Sequence, residues 1–159
     1  MTNVTYSVAK LSNIEEITSL FRNTIQTVNT KDYSPKEIDA WSRGANNIDN
    51  WVKRIETHYF IIAKIANKLV GMASIDDGGY LDVIYVHHQY QGMGIAKSLL
   101  NRMIDRAKSL GHNKITSDVS ITAKPFFMHK GFEIISPQLI LCRGVVLRNY
   151  HVKLVLNAI

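Results

Sequence analysis

Apolar residues recur along the chain with two different periods, which predicts a protein built from both strands and helices. Seven segments show the alternation or the short apolar runs of strands: residues 4–9, 58–66, 69–75, 80–86, 115–119, 132–142 and 145–156. Apolar spacing of three and four residues instead marks two long helices, at 14–28 and 95–110. Shorter helices are predicted after Ser34, at 51–55 and near Pro125. The main elements follow the order β-α-α-β-β-β-α-β-α-β-β. This order predicts an α/β domain built on a mixed, largely antiparallel sheet.

Local signals predict where several elements begin and end. Residues 12–15 (Ser-Asn-Ile-Glu) and 34–37 (Ser-Pro-Lys-Glu) have the pattern of a capping box at a helix start. The second helix should carry Ile38 and Trp41 on one side and end at Gly44. Turns between strands are expected at 67–68, 77–79 and 143–144.

The composition indicates one ordinary soluble domain over residues 1–159. Of the 159 residues, 46% are apolar and 20% are charged, which is enough apolar material for a single core. The single cysteine, Cys142, allows no internal disulfide and is typical of a reducing cytoplasm. No secretory signal is visible, and the longest apolar run, at 59–63, is too short to span a bilayer. We therefore expect a cytoplasmic protein with no membrane partner.

The net charge of +6 favours an anionic partner. The lysines and arginines are scattered rather than gathered into a dense run, so nucleic acid is the weaker interpretation. A coenzyme with several phosphates would be attracted by the same field. The charge therefore supports an anionic ligand without selecting one.

The junction between the strand at 80–86 and the helix at 95–110 is the strongest sign of a ligand site. Unpaired N–H groups and the positive end of the helix dipole meet there, and Gly92 and Gly94 would let a phosphate approach the main chain. The spacing lacks the third glycine of a dinucleotide fold and the Gly-Lys-Ser of a Walker loop. We predict a loop that binds a pyrophosphate; a glycine turn without a ligand is the alternative.

Two motifs, one in this loop and one later in the chain, resemble those of a known protein family. Residues 91–96 (Gln-Gly-Met-Gly-Ile-Ala) match the Gln/Arg-x-x-Gly-x-Gly/Ala signature of the GNAT N-acetyltransferases, and 123–132 resemble the late Ala-x-x-Phe-Tyr-x-x-x-Gly-Phe segment of that family. The element order, with the loop after the fourth strand, is also that of GNAT proteins. The resemblance spans nearly the whole chain. Within the family, the chain looks like a member of a bacterial subgroup of largely uncharacterised acetyltransferases.

The resemblance implies a fold and a coenzyme. It implies a twisted sheet flanked by helices, in which strands four and five splay apart to admit acetyl-CoA as the acetyl donor. The pantetheine amides would pair with the main chain of strand four, as an added strand does, and the loop would bind the pyrophosphate. The residues thereby assigned to the coenzyme are Ile84, Tyr85, Val86, Gln91, Gly92, Met93, Gly94, Ile95, Ala96, Lys97, Ser120 and Phe127.

The implied reaction is direct attack of a primary amine on the thioester in a ternary complex. An alkylammonium with a pKa near ~10.4 must first lose a proton, so a base is needed. Asp82 is the candidate base, since period two would place it on one face of its strand with Tyr80, Ile84 and Val86, the face expected to meet the coenzyme. An Asp that caps a turn or faces solvent is the alternative.

The position of the usual tyrosine acid of the family is occupied by Phe127, which cannot donate a proton. A thiol of pKa near ~8.5 leaves readily as thiolate, so an acid is dispensable. Tyr150, His129 or Cys142 is a possible substitute, and Cys142 is alternatively a buried strand cysteine.

The acceptor is expected to be a small-molecule or peptide amine. Tyr33 and Trp41 lie where GNAT enzymes build their acceptor groove, although core packing explains each aromatic equally simply. His87 and His88 have no further ligand at zinc spacing, so no metal is predicted. A non-catalytic acyl-CoA sensor is the alternative function, and the chain is expected to be a monomer or a homodimer.

Overall fold

The computed structural model describes residues 3–157. Its seven strands are β1 (Val4–Val8), β2 (Tyr59–Ile65), β3 (Lys68–Ile75), β4 (Tyr80–Val86), β5 (Lys114–Ser120), β6 (Glu133–Cys142) and β7 (Val145–Val155). Its α-helices are α1 (Ile14–Val28), α2 (Pro35–Ser42), α3 (Ile48–Thr57), α4 (Ile95–Ser109) and α5 (Lys124–His129). The predicted α/β class is confirmed, and the helix expected at 51–55 is longer than predicted. None of the helices between residues 3 and 157 has the length and apolar character needed to cross a membrane.

All seven strands form one sheet in the order β1-β2-β3-β4-β5-β7-β6. Neighbouring strands are antiparallel except for β4 and β5, which run parallel. The two parallel strands pair only at Tyr80 with Thr116 and at Leu81 with Ser117, and beyond that point they separate. The predicted splay of strands four and five is therefore confirmed.

Helices cover both faces of the sheet and enclose two apolar clusters. On one face, α4 and α5 pack on the sheet through residues such as Leu99 and Phe127. On the other face, α1 to α3 pack through residues such as Ile17 and Trp51. A Cβ added to Gly71 on β3 would lie only 3.0 Å from Ile95, so α4 lies directly against the sheet.

The two predicted capping boxes have different outcomes. At α2, Glu37 donates its N–H to Ser34 Oγ (3.2 Å) and accepts from the Ser34 N–H (2.8 Å), as predicted. At α1 the prediction is wrong, because a 3₁₀ turn at Leu11–Asn13 precedes the helix. Asn13 Oδ1 accepts the Lys10 N–H (2.9 Å) instead. A short polar side chain thus satisfies the backbone two residues before the expected position.

The hairpin between β2 and β3 also differs slightly from the prediction. The turn falls on Ala66 and Asn67, both with positive φ, rather than on 67–68. Positive φ at two adjacent positions matches a tight hairpin turn, which the right-handed twist of the strands favours.

A β-bulge in β4 changes the predicted orientation of Asp82. Ser74 of β3 pairs with Val83 and Ile75 pairs with Leu81, so Asp82 has no register partner in β3. The extra residue places Asp82 on the α3 side of the sheet, while Ile84 and Val86 pack on the opposite face. The predicted common face of these three residues is therefore wrong, because period two fails at a bulge.

Candidate active site

The separation of β4 from β5 opens a cavity of about 560 Å³. Ser117 Oγ donates to the Leu81 carbonyl (2.7 Å) at the point where the strands part. From there the cavity runs along β4 to the start of α4. Most of the residues assigned to a coenzyme line it: Ile84, Tyr85, Val86, Gln91, Gly92, Gly94, Ile95, Ala96, Lys97, Ser120 and Phe127. Met93 does not line it and is 43% exposed.

The glycine loop has the backbone geometry of an anion site. Gly92 and Gly94 have φ values of 77° and 79°, which side-chain-bearing residues rarely adopt. A Cβ at either position would meet no atom of residues 3–157 within 4 Å. Gln91 Nε2 donates to the Val86 carbonyl (3.0 Å) and ties the loop to β4. Gly94 is the N-cap of the 15-residue helix α4, so the first N–H groups of that helix point out of the turn.

Two buried hydroxyls at this cavity have no hydrogen-bond partner within residues 3–157. These are Thr24 Oγ1 on α1 and Thr122 Oγ1 after β5, and both residues line the cavity. Ser120 Oγ lies nearby, where it accepts from the Ala123 N–H (3.0 Å) and from Asn29 Nδ2 (3.4 Å). A buried polar atom without a partner is costly, so these hydroxyls fit a ligand that carries amides and hydroxyls.

A second cavity, of about 310 Å³, lies on the α1–α3 side of the sheet. It shares part of its lining with the first cavity, so the two meet where β4 and β5 part. The residues that line both cavities are Trp41, Asp82, Tyr85, Asp118 and Ser120. A molecule in one cavity could therefore reach a molecule in the other at two carboxylates.

Asp82 is held by the side chain of Arg54. Arg54 Nε donates to Asp82 Oδ2 at 2.8 Å, and the guanidinium lies 4.5 Å from the centre of the Trp51 ring. His58 Nδ1 lies 3.9 Å from the same oxygen. Within residues 3–157, no donor forms a hydrogen bond to Asp82 Oδ1. One oxygen of the carboxylate is thus fixed, while the other keeps its accepting capacity.

Asp118 is the second carboxylate, and sequence reasoning missed it. It accepts from the Tyr80 hydroxyl (2.7 Å), from Gln138 Nε2 (2.9 Å) and from His151 Nδ1 (2.7 Å). Burial alone would raise the pKa of Asp118, but the hydrogen bonds from Tyr80, His151 and Gln138 outweigh it and lower the pKa. Burial and the bond to Asp118 raise the pKa of Tyr80. Asp118 therefore stays ionised and is poorly suited to accept a proton.

The predicted acceptor residues Tyr33 and Trp41 both line the second cavity. Their rings pack edge to face at 5.3 Å. The Tyr33 hydroxyl donates to the Arg148 carbonyl (2.6 Å) and accepts the Ile121 N–H (3.0 Å), and burial raises its pKa. Tyr33 therefore contributes its ring to the wall, while its hydroxyl joins β7 to the residue that follows β5.

The candidate acid residues are not brought together. Tyr150 pairs with Val119 and packs on the face of the sheet that α4 and α5 cover, away from the second cavity. Lys124 Nζ lies 4.5 Å from the centre of its ring, and Tyr150 lines neither cavity. His129 lines the first cavity and Cys142 the second. Phe127 is 1% exposed, packs edge to face with Phe126 and Phe132, and lines the first cavity. Burial raises the pKa of Tyr85, so the phenol that lines both cavities keeps its proton.

Some of the residues that sequence reasoning missed left a signal in the chain. Thr24 falls within the apolar stripe of α1, between Phe21 and Ile25, where a polar residue is unusual. Arg54 and Asp118 left none, because their partners are 28 and 33 residues away in the chain.

Comparison with known proteins agrees with this architecture. Residues 29–154 match the family model for the acetyltransferase (GNAT) domain. The uncharacterized N-acetyltransferase YafP of Escherichia coli is 28% identical over 155 residues, covering 96% of this chain and 97% of its own length.

Solved structures share the fold. A GCN5-related N-acetyltransferase from Rhodopseudomonas palustris has a TM-score of 0.90 at 22% identity, covering 98% of this chain and 96% of its own. The PaiA N-acetyltransferase from Thermoplasma acidophilum, in complex with coenzyme A, has a TM-score of 0.77 at 16% identity, with coverage of 95% and 98%. The chain belongs to the GNAT acetyltransferase family and is an N-acetyltransferase.

Proposed function

We propose that this protein transfers the acetyl group of acetyl-CoA to a primary amine of a small molecule or a peptide. The transfer is direct, within a ternary complex, and no acetyl-enzyme forms. The observation that carries the proposal is the meeting of the two cavities at Asp82, since one cavity suits a coenzyme and the other an acceptor. We place the reaction in the cytoplasm, in a monomer or a homodimer, with neither nucleic acid nor membrane as partner.

The first cavity is the proposed coenzyme site. N–H groups from Gly92 to Lys97 bind the pyrophosphate, because the start of α4 offers unpaired donors to an anion. The pantetheine lies in the gap beyond Leu81, where the β5-facing edge of β4 pairs with no strand of the described part of the chain. Ser120 bonds its polar groups, as do the hydroxyls of Thr24 and Thr122, which have no hydrogen-bond partner within residues 3–157. The Thermoplasma protein of the same fold was solved in complex with coenzyme A, which supports acetyl-CoA as the donor.

Acetyl transfer begins when the acceptor loses a proton. Asp82 takes it on Oδ1, while Arg54 holds Oδ2 and fixes the carboxylate. The amine nitrogen then attacks the thioester carbonyl carbon, the new C–N bond forms, and the C–S bond breaks with its electron pair leaving on sulfur. The nitrogen gives up its second proton to solvent as the C–S bond breaks. Phe127 supplies no proton, so the sulfur departs as thiolate and takes a proton from solvent. Asp82 returns its proton to solvent before the next turnover. Asp118 remains an anion and attracts the ammonium.

Thiol release from acetyl-CoA across a library of amines tests this proposal. An amine-dependent rate, with the acetylated amine found by mass spectrometry, supports it. Rates that stay at the level of spontaneous hydrolysis for every amine would contradict it.

A non-catalytic acyl-CoA sensor is the second candidate, and the phenyl ring of Phe127 in place of a phenol favours it. A sensor would bind acetyl-CoA, seen as a rise in melting temperature, without releasing thiol to any amine. The same library therefore separates the two candidates.

A further inference from the structure

The second cavity is lined by charged side chains of both signs. Both of its carboxylates, Asp82 and Asp118, are at the junction with the first cavity, since they line both. Three arginines, Arg54, Arg143 and Arg148, line the second cavity and not the first. The cavity is thus acidic at the junction, and its basic end begins at Arg54, directly beside Asp82, and continues to Arg143.

Contacts around Gly44 show that the two guanidinium groups belong to one region. Arg143 Nη2 would lie 3.6 Å from a Cβ built on Gly44. The Gly44 carbonyl accepts from Trp51 Nε1 (3.0 Å), and the Arg54 guanidinium lies over the Trp51 ring. Asn47 and Asn50 line the cavity in the same region. The basic end is therefore formed by α3, the turn before it and the tip of the β6–β7 hairpin.

Both arginines have donors to spare. Arg54 uses Nε for Asp82, and Arg143 uses Nη1 for the Ala40 carbonyl (3.2 Å) and Cys142 Sγ (3.4 Å). Within residues 3–157, no acceptor forms a hydrogen bond to Arg54 Nη1 or Nη2, or to Arg143 Nη2. A guanidinium offers a planar fork of donors that suits an oxyanion such as carboxylate or phosphate.

Arg148 also borders the second cavity, but it does so with its main chain and not with its guanidinium group. It pairs with the exposed Leu139, whereas its neighbours Leu147 and Asn149 face the cavity, and its carbonyl accepts from Tyr33. Alternation along β7 turns its side chain to the other face. The basic end therefore depends on Arg54 and Arg143.

We infer that the acceptor carries an oxyanion, a carboxylate or a phosphate, beside its amine: Arg54 and Arg143 bind the oxyanion while the amine meets Asp82. This inference rests on the proposed amine acetylation and narrows its substrate class. A cavity of about 310 Å³ suits a small zwitterion of the amino-acid or aminoalkyl-phosphate kind. A dicationic amine would leave both guanidinium groups facing a like charge.

Matched acceptors test the inference. Thiol release is measured with amino acids, their carboxamides, aminoalkyl phosphates and diamines of the same length. The carboxylate or the phosphate arm should exceed its uncharged counterpart about tenfold or more in kcat/KM, as expected for charge-assisted hydrogen bonds. The better of the two arms identifies the oxyanion. Equal or higher kcat/KM for the carboxamides or diamines would overturn the inference while leaving amine acetylation intact.

Variants of the arginines test whether the basic end causes the preference for carboxylate or phosphate acceptors. Arg143→Gln should reduce the preference about tenfold, mainly through KM, and Arg143→Lys should retain part of it. Arg43→Gln is the matched control, because Arg43 is exposed, pairs with Asp39 and lines neither cavity. An Arg143→Gln protein that loses activity equally on all acceptors would contradict the inference.

A binding measurement separates failure of the inference from failure of the proposed reaction. The protein saturated with coenzyme A is titrated calorimetrically with the same carboxylates and phosphates. Binding that Arg143→Gln weakens, without turnover of any amine, would support the oxyanion site and count against acetylation. Each oxyanion compound is tested at 20-fold the concentration at which other amines react, or at about 20 mM if no amine reacts. If none of these compounds binds or is acetylated at that concentration, the inference is overturned.

Discussion

Arg54 donates from Nε to Oδ2 of Asp82 at 2.8 Å, and this contact joins α3 to the bulge of β4. The bulge turns the Asp82 side chain toward α3, where stacking on Trp51 holds the guanidinium in place. The carboxylate therefore enters the junction of the two cavities in one fixed orientation. Such preorganisation suits a group that must meet an amine proton at hydrogen-bond distance.

Asp82→Asn is expected to lower kcat by about 100-fold or more, because an amide cannot accept a proton near neutral pH. The rise in melting temperature with acetyl-CoA should be unchanged. The defect should shrink as pH rises, since more of the amine is already neutral. Asp105→Asn, an exposed carboxylate on α4 outside both cavities, is the control. Wild-type turnover by Asp82→Asn at pH 7 would rule out this role.

Asp118→Asn is expected to reduce stability in a pH-dependent way. The pKa of Asp118 is lower in the folded protein than in the unfolded chain, so its ionised form stabilises the fold. That contribution is complete above the unfolded pKa of about 3.9 and is lost as pH falls through the lower folded value. Urea unfolding at pH 7 and at pH 2 measures it. The difference between wild type and variant should be larger at pH 7; an equal difference at both would contradict the assignment.

The coenzyme side of the site was largely predictable from the sequence. The loop 91–96 is one continuous segment of the chain. Backbone N–H groups at a helix start can bind an anion when a turn with glycine precedes the helix, and such a turn is visible in the sequence. The acceptor side was not, because Asp82 depends on a bulge and Arg54 contacts it across 28 residues. Local capping was predictable at Ser34, where proline fixes the first turn, and wrong at Ser12, where a 3₁₀ turn intervenes.

Gly94→Val is expected to abolish the rise in melting temperature with acetyl-CoA. A β-branched side chain at φ 79° strains the loop and fills the space that the pyrophosphate needs. Gly111→Val is a matched control, because Gly111 has φ 83°, no atom within 4 Å of an added Cβ, and lies at the other end of α4. Both variants should lose similar stability, of about 1–2 kcal/mol. Acetyl-CoA binding that survives equally in both folded variants would mean that the loop is only a turn.

Phe127→Tyr is expected to give no rate gain and a loss of stability. The ring is buried between Phe126 and Phe132, so a new hydroxyl without a partner costs about 1–3 kcal/mol. The thiolate already leaves readily, so an added acid has little to contribute. Turnover below pH 8 and urea unfolding measure both effects. A tenfold rate increase would show that loss of the thiolate limits the reaction.

The central claim is that acetyl-CoA binds between β4 and β5 and gives its acetyl group directly to an amine at Asp82. Thiol release, followed with varied acetyl-CoA and varied amine, tests it most directly. Intersecting initial-rate patterns and an acetylated amine product are predicted, because both substrates must be bound at once. Parallel patterns, or a melting-temperature rise with acetyl-CoA but no amine-dependent thiol release, would contradict the account.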